Sequence, residues 1–203
     1  MMRKLALLFL LSSTLLFSQK KKKFDLDVVA NIDAKMILMT AVGNNAFSKL
    51  VRPFFGFGFG GNLMTPINFG VGLDVNFLYS NVIYGEESKY GNIGSPSITS
   101  FDFFLTHRDY LSEDFFLEEM AGFTFYRQTN LFIDEKSAKN VNLGSGINLG
   151  AKLIYILTDP QQVFLSAKLN TYKTNIYNEN KDIEKFYNQS TFISFGLGYR
   201  YQF

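Results

Sequence analysis

The chain has 203 residues, a formal net charge of +2, 47% hydrophobic, 17% aromatic and 19% charged residues, and no cysteine. That length fits one domain, the charge is too small for nucleic-acid binding, and without thiols there is no disulfide, thiolate metal site, Cys nucleophile or lipidated Cys of a lipoprotein. No apolar run reaches the roughly 18 residues of a membrane-spanning helix, so the apolar content must be spread in alternation.

A short basic start, Met1 to Lys4, precedes an apolar run from Leu5 to Phe17 broken only by Ser12, Ser13 and Thr14. With Phe17-Ser18-Gln19 as cleavage site this reads as a secretory signal peptide over 1–18, leaving 19–203 as the mature domain. Lys20 to Lys23 then form a solvated basic start of the mature chain.

A two-residue period marks a strand with one apolar face, and it recurs along the chain. The first strand, 24–39, sets Phe24, Leu26, Val28, Ala30, Ile32, Ala34 and Met36 against Asp25, Asp27, Asn31, Asp33 and Lys35. A connection over 41–52 follows, then Phe55, Phe57, Phe59 and Leu63 alternate with Gly56, Gly58, Gly60 and Asn62. Thr65-Pro66 turns the chain into a third strand, Ile67 to Tyr79, whose other face holds Asn68, Gly70, Gly72, Asp74 and Asn76. After a long polar connection over 81–96, a fourth strand spans about 97–106 with Asp102 on its polar face, and 107–114 is its turn.

The fifth strand, 115–127, is irregular: Glu119 shares the parity of Phe115, Leu117 and Ala121, so a bulge or register shift is expected there. A polar connection over 129–140 leads to a sixth strand, 141–155, and the turn around Pro160 to a seventh, 163–170. The simplest register about Pro160 sets Lys152 opposite Lys168. A charged connection over 175–189 precedes the last strand, S-T-F-I-S-F-G-L-G-Y-R-Y-Q-F from Ser190 to Phe203.

The connections alternate long and short. Eight strands so joined form an all-β, antiparallel, up-and-down barrel with both termini at the short-turn end. Alternation alone does not say which face points outward, since a soluble barrel turns its apolar face in. Here the other face is mostly Gly, Asn and Ser with isolated charges, which suits a narrow interior rather than a water-facing surface. Aromatics also gather near strand ends, Tyr155, Tyr199, Tyr201 and Phe203 at one rim and Phe55, Tyr79 and Phe125 toward the other, as interfacial girdles do. The apolar face therefore points to lipid, and the barrel is transmembrane.

The enclosed charges predict an interior polar network of Asp27, Asp33, Lys35, Asp74, Asp102, Glu118, Lys152, Lys168 and Arg200, with Asp27 near Arg200 where the first and last strands meet. Its simplest role is to fill the lumen, which eight strands leave about wide enough for side chains. The glycines of strands two, three, six and eight leave the alternative of voids and a narrow conduit. Gly56-x-Gly58-x-x-Gly61 matches a dinucleotide fingerprint only formally, because it alternates with Phe57 and Phe59 inside a strand and opens no helix. The sequon Asn188-Gln189-Ser190 is read as chance.

One His, His107, falls at the short-turn side, beside Asp109 and Ser112. An outer-leaflet hydrolase site would need it at the opposite rim, and one His supplies no convincing metal cluster, so no catalytic residue, metal or cofactor is expected. The loop acids Glu86, Glu87, Asp134, Glu135, Glu179, Asp182 and Glu184 are interspersed with lysines and read as solvated loops.

The whole pattern resembles the small eight-stranded outer-membrane barrels, the OmpA transmembrane-domain and OmpX group or the PorT-like barrels. The resemblance rests on architecture over the mature chain. It implies a Gram-negative outer membrane with both termini periplasmic, contact with outer-membrane lipid and lipopolysaccharide, and insertion by the barrel-assembly machinery. The outermost aromatics of the last strand, Tyr199, Tyr201 and Phe203, resemble the C-terminal assembly signal of such barrels. The role implied is non-enzymatic: a scaffold or accessory subunit that binds a protein partner in an outer-membrane complex through its extracellular loops or outer wall. A narrow pore for ions or small amphipathic molecules is the alternative, and an outer-leaflet lipid-modifying enzyme the third reading. Loop aromatics Phe47, Tyr84, Tyr90, Phe132, Tyr177, Phe186 and Tyr187 are the candidate contacts.

Overall fold

The computed structural model describes residues 28–134 and 138–203. The expected signal peptide, the lysine run and Asp27 lie outside these residues. The described strands, β1 (Val29–Val42), β2 (Phe54–Met64), β3 (Phe69–Tyr79), β4 (Ile93–Tyr110), β5 (Phe115–Phe132), β6 (Lys139–Thr158), β7 (Gln161–Thr174) and β8 (Gln189–Gln202), pair antiparallel in chain order and close into a barrel through β8 on β1. Two short helices, α1 (Ala46–Leu50) and α2 (Lys181–Asn188), sit in connections read from the sequence as irregular.

Alternation decides the two surfaces. The rows Ile32, Met36 and Leu38, then Phe55, Phe57 and Phe59, then Leu165 and Leu169, then Phe195, Leu197 and Tyr199 are all exposed on the outer wall. Such a surface encircles the whole barrel, far beyond the few hundred Å² that a water-soluble monomer exposes. Only a hydrocarbon surround makes it stable, and the fold is that of a transmembrane barrel.

The connections over 65–68, 111–114 and 159–160 are tight, and β1 starts and β8 ends at that same end of the barrel, where the Phe203 N–H donates to the Ala30 carbonyl (2.9 Å). In the first turn Thr65 N–H donates to the Phe69 carbonyl (2.9 Å), and Asn68 takes φ +65°, a left-handed conformation that Asn tolerates better than most residues. The longer connections gather at the other end.

Four local expectations are corrected. The strands β4, β5 and β6 run 18, 18 and 20 residues, so His107 belongs to β4 rather than to a turn, and residues 129–132 and 139–140 of the expected connection are paired strand. Polar residues there lie past the apolar band, yet their backbone keeps pairing, as Leu131 does with Lys139. β5 keeps one register with both neighbours from Phe115 to Leu131, without the expected bulge; Glu119 points outward because it pairs with His107 near the turn end. Lys152 faces Ser166, and Lys168 faces Gly150. A tight Asp159-Pro160 turn and a register shift between Ile156 and Thr158 move the ladder off the symmetric pairing, which removes a like-charge contact.

Finally, the inward face is not only small and polar. Phe54, Phe104, Phe116, Phe164, Tyr172 and Phe192 are buried inside. Glycine makes room for two of these rings: Gly72 pairs with Phe104 and Gly198 with Phe164, and a Cβ at either glycine would collide with the facing ring. The glycines expected to leave voids are filled from across the ladder.

Candidate functional site

The interior has two storeys. At the turn end lies a charged core. Asp33 of β1 pairs in register with Arg200 of β8, so the seam that closes the barrel carries an ion pair. Arg200 grips Asp33 through two bonds, Nε to Oδ1 at 2.6 Å and Nη2 to Oδ2 at 3.0 Å, and reaches Glu118 Oε1 with Nη1 at 2.8 Å. Lys152, the register partner of Glu118, donates to Asp33 Oδ2 at 2.6 Å. Asp74 and Asp102 face each other on β3 and β4, a like-charge pair that Lys168 resolves by donating 2.8 Å bonds to both. Lys35 closes on Asp74 as well.

The structure thus brings together eight of the nine interior residues read from the sequence, the ninth, Asp27, lying outside the described residues, and the register partner of Arg200 is Asp33. Sequence reasoning missed Arg108, which donates two bonds to Glu118 Oε1 (Nε 3.1 Å, Nη2 2.7 Å) and lies over the Phe116 ring at 4.2 Å. Its signal was the inward parity of Asp102, Phe104 and Thr106 continuing one step further, hidden by ending the strand at Thr106. Among the described residues the core holds five cations and four carboxylates, each less than 9% exposed.

Isolated charges so placed would cost several kcal/mol each in lost hydration. Here every ion has an opposite partner, and Asn62 Nδ2 adds a bond to Glu118 Oε2 (3.2 Å) while Asn31 Nδ2 bonds Asn62 Oδ1 (2.8 Å). A connected network is the arrangement in which buried ions stabilise. It ties strands across the lumen as well as around it.

Toward the long-loop end the interior turns apolar. Asn45 caps α1, accepting from Ser48 N–H (3.0 Å) while Ser48 Oγ accepts from Asn45 N–H (3.3 Å). The cap points α1 into the barrel mouth, where Phe47 stands between Phe54, Tyr90, Tyr172 and Phe192 with ring centroids 5.2–6.2 Å away. Gln128 orients this plug: its Nε2 donates to Tyr90 Oη (3.0 Å), and Tyr172 Oη donates to its Oε1 (2.9 Å). Burial pushes the Tyr90 phenol well above the usual tyrosine range. Ile37, Met39, Leu50, Val51, Val82 and Ile98 are among the buried side chains packed around it.

Between the storeys a cavity of about 20 Å³ is lined by residues including Lys35, Asn76, Asp102, Tyr126, Lys168 and Asn170. That is room for about one water molecule.

The loop aromatics divide. Phe47 and Tyr90 are buried in the plug, and Phe132, Phe186 and Tyr187 pack against it while staying half-buried. Tyr84 and Tyr177 are 90% and 80% exposed. Among the loop acids, Glu86 pairs with Lys89 (2.7 Å) and Glu184 with Lys181 (2.9 Å). The bond from Lys181 holds the Glu184 carboxyl below its ordinary range.

His107 stands on the outer wall at the turn end, its Nδ1 3.1 Å from Glu119 Oε2 and 3.7 Å from Asp109 Oδ2. Ser112, the serine named beside it in the sequence, accepts from the Phe115 N–H (3.1 Å). The aromatics Tyr199 and Tyr201 of β8 and Phe203 just past its end are exposed, with Tyr201 and Phe203 rings 4.9 Å apart.

No protein-family model and no curated protein matches this chain. Solved structures do. Neisserial surface protein A is 9% identical over 87% of this chain and 97% of its own, with a TM-score of 0.58. A major outer membrane protein from Thermus thermophilus is 12% identical over 86% and 99%, TM-score 0.59. Ail of Yersinia pestis, solved in complex with the heparin analogue sucrose octasulfate, is 10% identical over 88% and 100%, TM-score 0.54. At such identities the likeness is one of fold: this chain is a closed eight-stranded barrel of the outer-membrane type.

Proposed function

We propose that this chain is a non-conducting, non-enzymatic scaffold of a Gram-negative outer membrane, made with a signal peptide over 1–18 and inserted with its termini and short turns in the periplasm. Its long loops face outward and bind a protein partner. The observation that carries this reading is the filled lumen, with a cross-braced ion network below and the Phe47 plug above. A barrel whose interior is spent on packing has its outer surface and loops left for recognition. Tyr84 and Tyr177, the loop aromatics left exposed, are the contacts.

Extraction from native membranes in mild detergent tests the role: a stoichiometric co-purifying protein, reduced in the double variant Tyr84→Ala/Tyr177→Ala, is expected, and a lone monomer would contradict it. Because the chain has no cysteine, orientation can be read separately. On intact cells a membrane-impermeant maleimide labels Tyr84→Cys and leaves Ser112→Cys unlabelled until the envelope is opened; the reverse pattern would overturn the orientation.

A further inference from the structure

Two carboxylates stand on the outer wall at the turn end with one imidazole between them. His107 and Asp109 are two residues apart on β4, so their side chains leave the same face of the strand. Glu119 of β5 is the register partner of His107 and joins them from across the ladder. On the other side of His107 its partner is Phe69 of β3, with ring centroids 4.6 Å apart. The imidazole thus stands between a ring and a carboxylate, its Nδ1 lying 3.1 Å from Glu119 Oε2 and 3.7 Å from Asp109 Oδ2.

Charge does not balance in this group. Its neighbours on the outward face of the ladder are Phe69, Leu105, Leu117, Ala121 and Ala151, none of them cationic. The Arg108 guanidinium, next in the chain, is held inside the barrel by Glu118. Among the described residues both carboxylates pair only with His107, which carries at most one positive charge, so negative charge is left unmatched on an apolar wall, where it is costly. The three ligand-type atoms all lie within 4.8 Å of one another. A tetrahedral zinc ion, bound to nitrogen and oxygen at about 2.0–2.2 Å, holds its ligand atoms about 3.4 Å apart. The two distances from Nδ1, 3.1 and 3.7 Å, bracket that edge.

We propose that His107, Asp109 and Glu119 bind one divalent transition-metal ion of the zinc class, through Nδ1 and one oxygen of each carboxylate, with a fourth position open to water. An imidazole donor favours a borderline metal over Mg²⁺ and Ca²⁺, which take oxygen ligands. All three ligands sit on paired strands rather than on a loop, which limits the movement needed to close on the ion. The bound ion supplies the positive charge that the wall lacks and clamps β4 to β5 beside their turn. Spacing along the chain hides such a site, because Glu119 joins it only through the register of β5 on β4. The site depends on that register and not on the scaffold role.

Zinc titration of the purified, untagged full chain folded in detergent tests the site, whatever the orientation or partner of the barrel. Calorimetry should show one Zn²⁺ per chain, retained in excess Mg²⁺. His107 is the chain's single histidine, so its imidazole NMR signals report the ion directly and should shift on saturation. His107→Gln, and separately Asp109→Asn/Glu119→Gln, should abolish saturable binding. The control Glu113→Gln/Asp114→Asn, which changes exposed acids of the adjacent turn, should bind as the parent does. All three ligands lie on the outer wall, and retained heat-modifiable gel mobility will show that each variant folds. Absence of stoichiometric binding, displacement by Mg²⁺, unchanged affinity in either ligand variant, or equal loss in the turn variant would each overturn the proposal.

Discussion

Arg200 Nε lies 2.6 Å from Asp33 Oδ1 across the seam where β8 meets β1. The last strand and the first are thus joined by side chains as well as by backbone, at a position fully removed from solvent. Replacing Arg200 by Met leaves Asp33 to Lys152 alone and removes one of Glu118's two arginines. Breaking a buried pair of this kind costs about 3–5 kcal/mol. The expected result is a lower urea midpoint for unfolding from detergent or lipid with an unchanged slope; an unaltered midpoint would mean that the seam does not depend on this pair.

Phe47 anchors the plug. Truncation to Ala removes a ring that touches four others and should destabilise by about 3–5 kcal/mol. The charged core beneath stays in place, so the variant should still pass no current. A conducting Phe47→Ala barrel would locate the only seal at the mouth.

Gly198 faces the Phe164 ring, and a methyl there has no free space. Gly198→Ala should cost about 1–3 kcal/mol through overpacking, and Phe164→Leu in the same chain should recover part of the loss. Additive losses in the double variant would show that the two positions do not compete for one volume.

The register of β6 on β7 is open to chemical test. Ala151 and Ala167 are paired, close enough for a disulfide. Ala151→Cys/Ala167→Cys should cross-link on mild oxidation, and Ala151→Cys/Leu169→Cys, the pair that a turn symmetric about Pro160 would bring together, should not.

These cases also show what was readable from sequence. The strand parities of Asp33, Lys35, Asp74 and Arg200 followed from a period of two, because every residue of a strand must face one of two sides. Lys152 and Lys168 were given the right face and the wrong partner, since register depends on one displaced residue near Leu157 that parity does not reveal. The sequence places Phe47 and Tyr90 in loops, and nothing local says that a five-residue helix will turn into the barrel mouth, where rings from β2, β7 and β8 receive it. Arg108 was lost with the end of β4, because polar residues beyond the apolar band look like a turn while their backbone still pairs. Short apolar alternation thus carried the fold, and contacts between distant elements decided the interior.

Closure of the lumen is the property on which the scaffold role rests, and single-channel recording addresses it most directly. The purified chain reconstituted into a planar bilayer, with insertion verified by heat-modifiable mobility, should give no discrete current steps in molar KCl. Reproducible steps of fixed amplitude from the folded parent protein would contradict the account, in which the Arg200–Asp33 network and the Phe47 plug both fill the lumen.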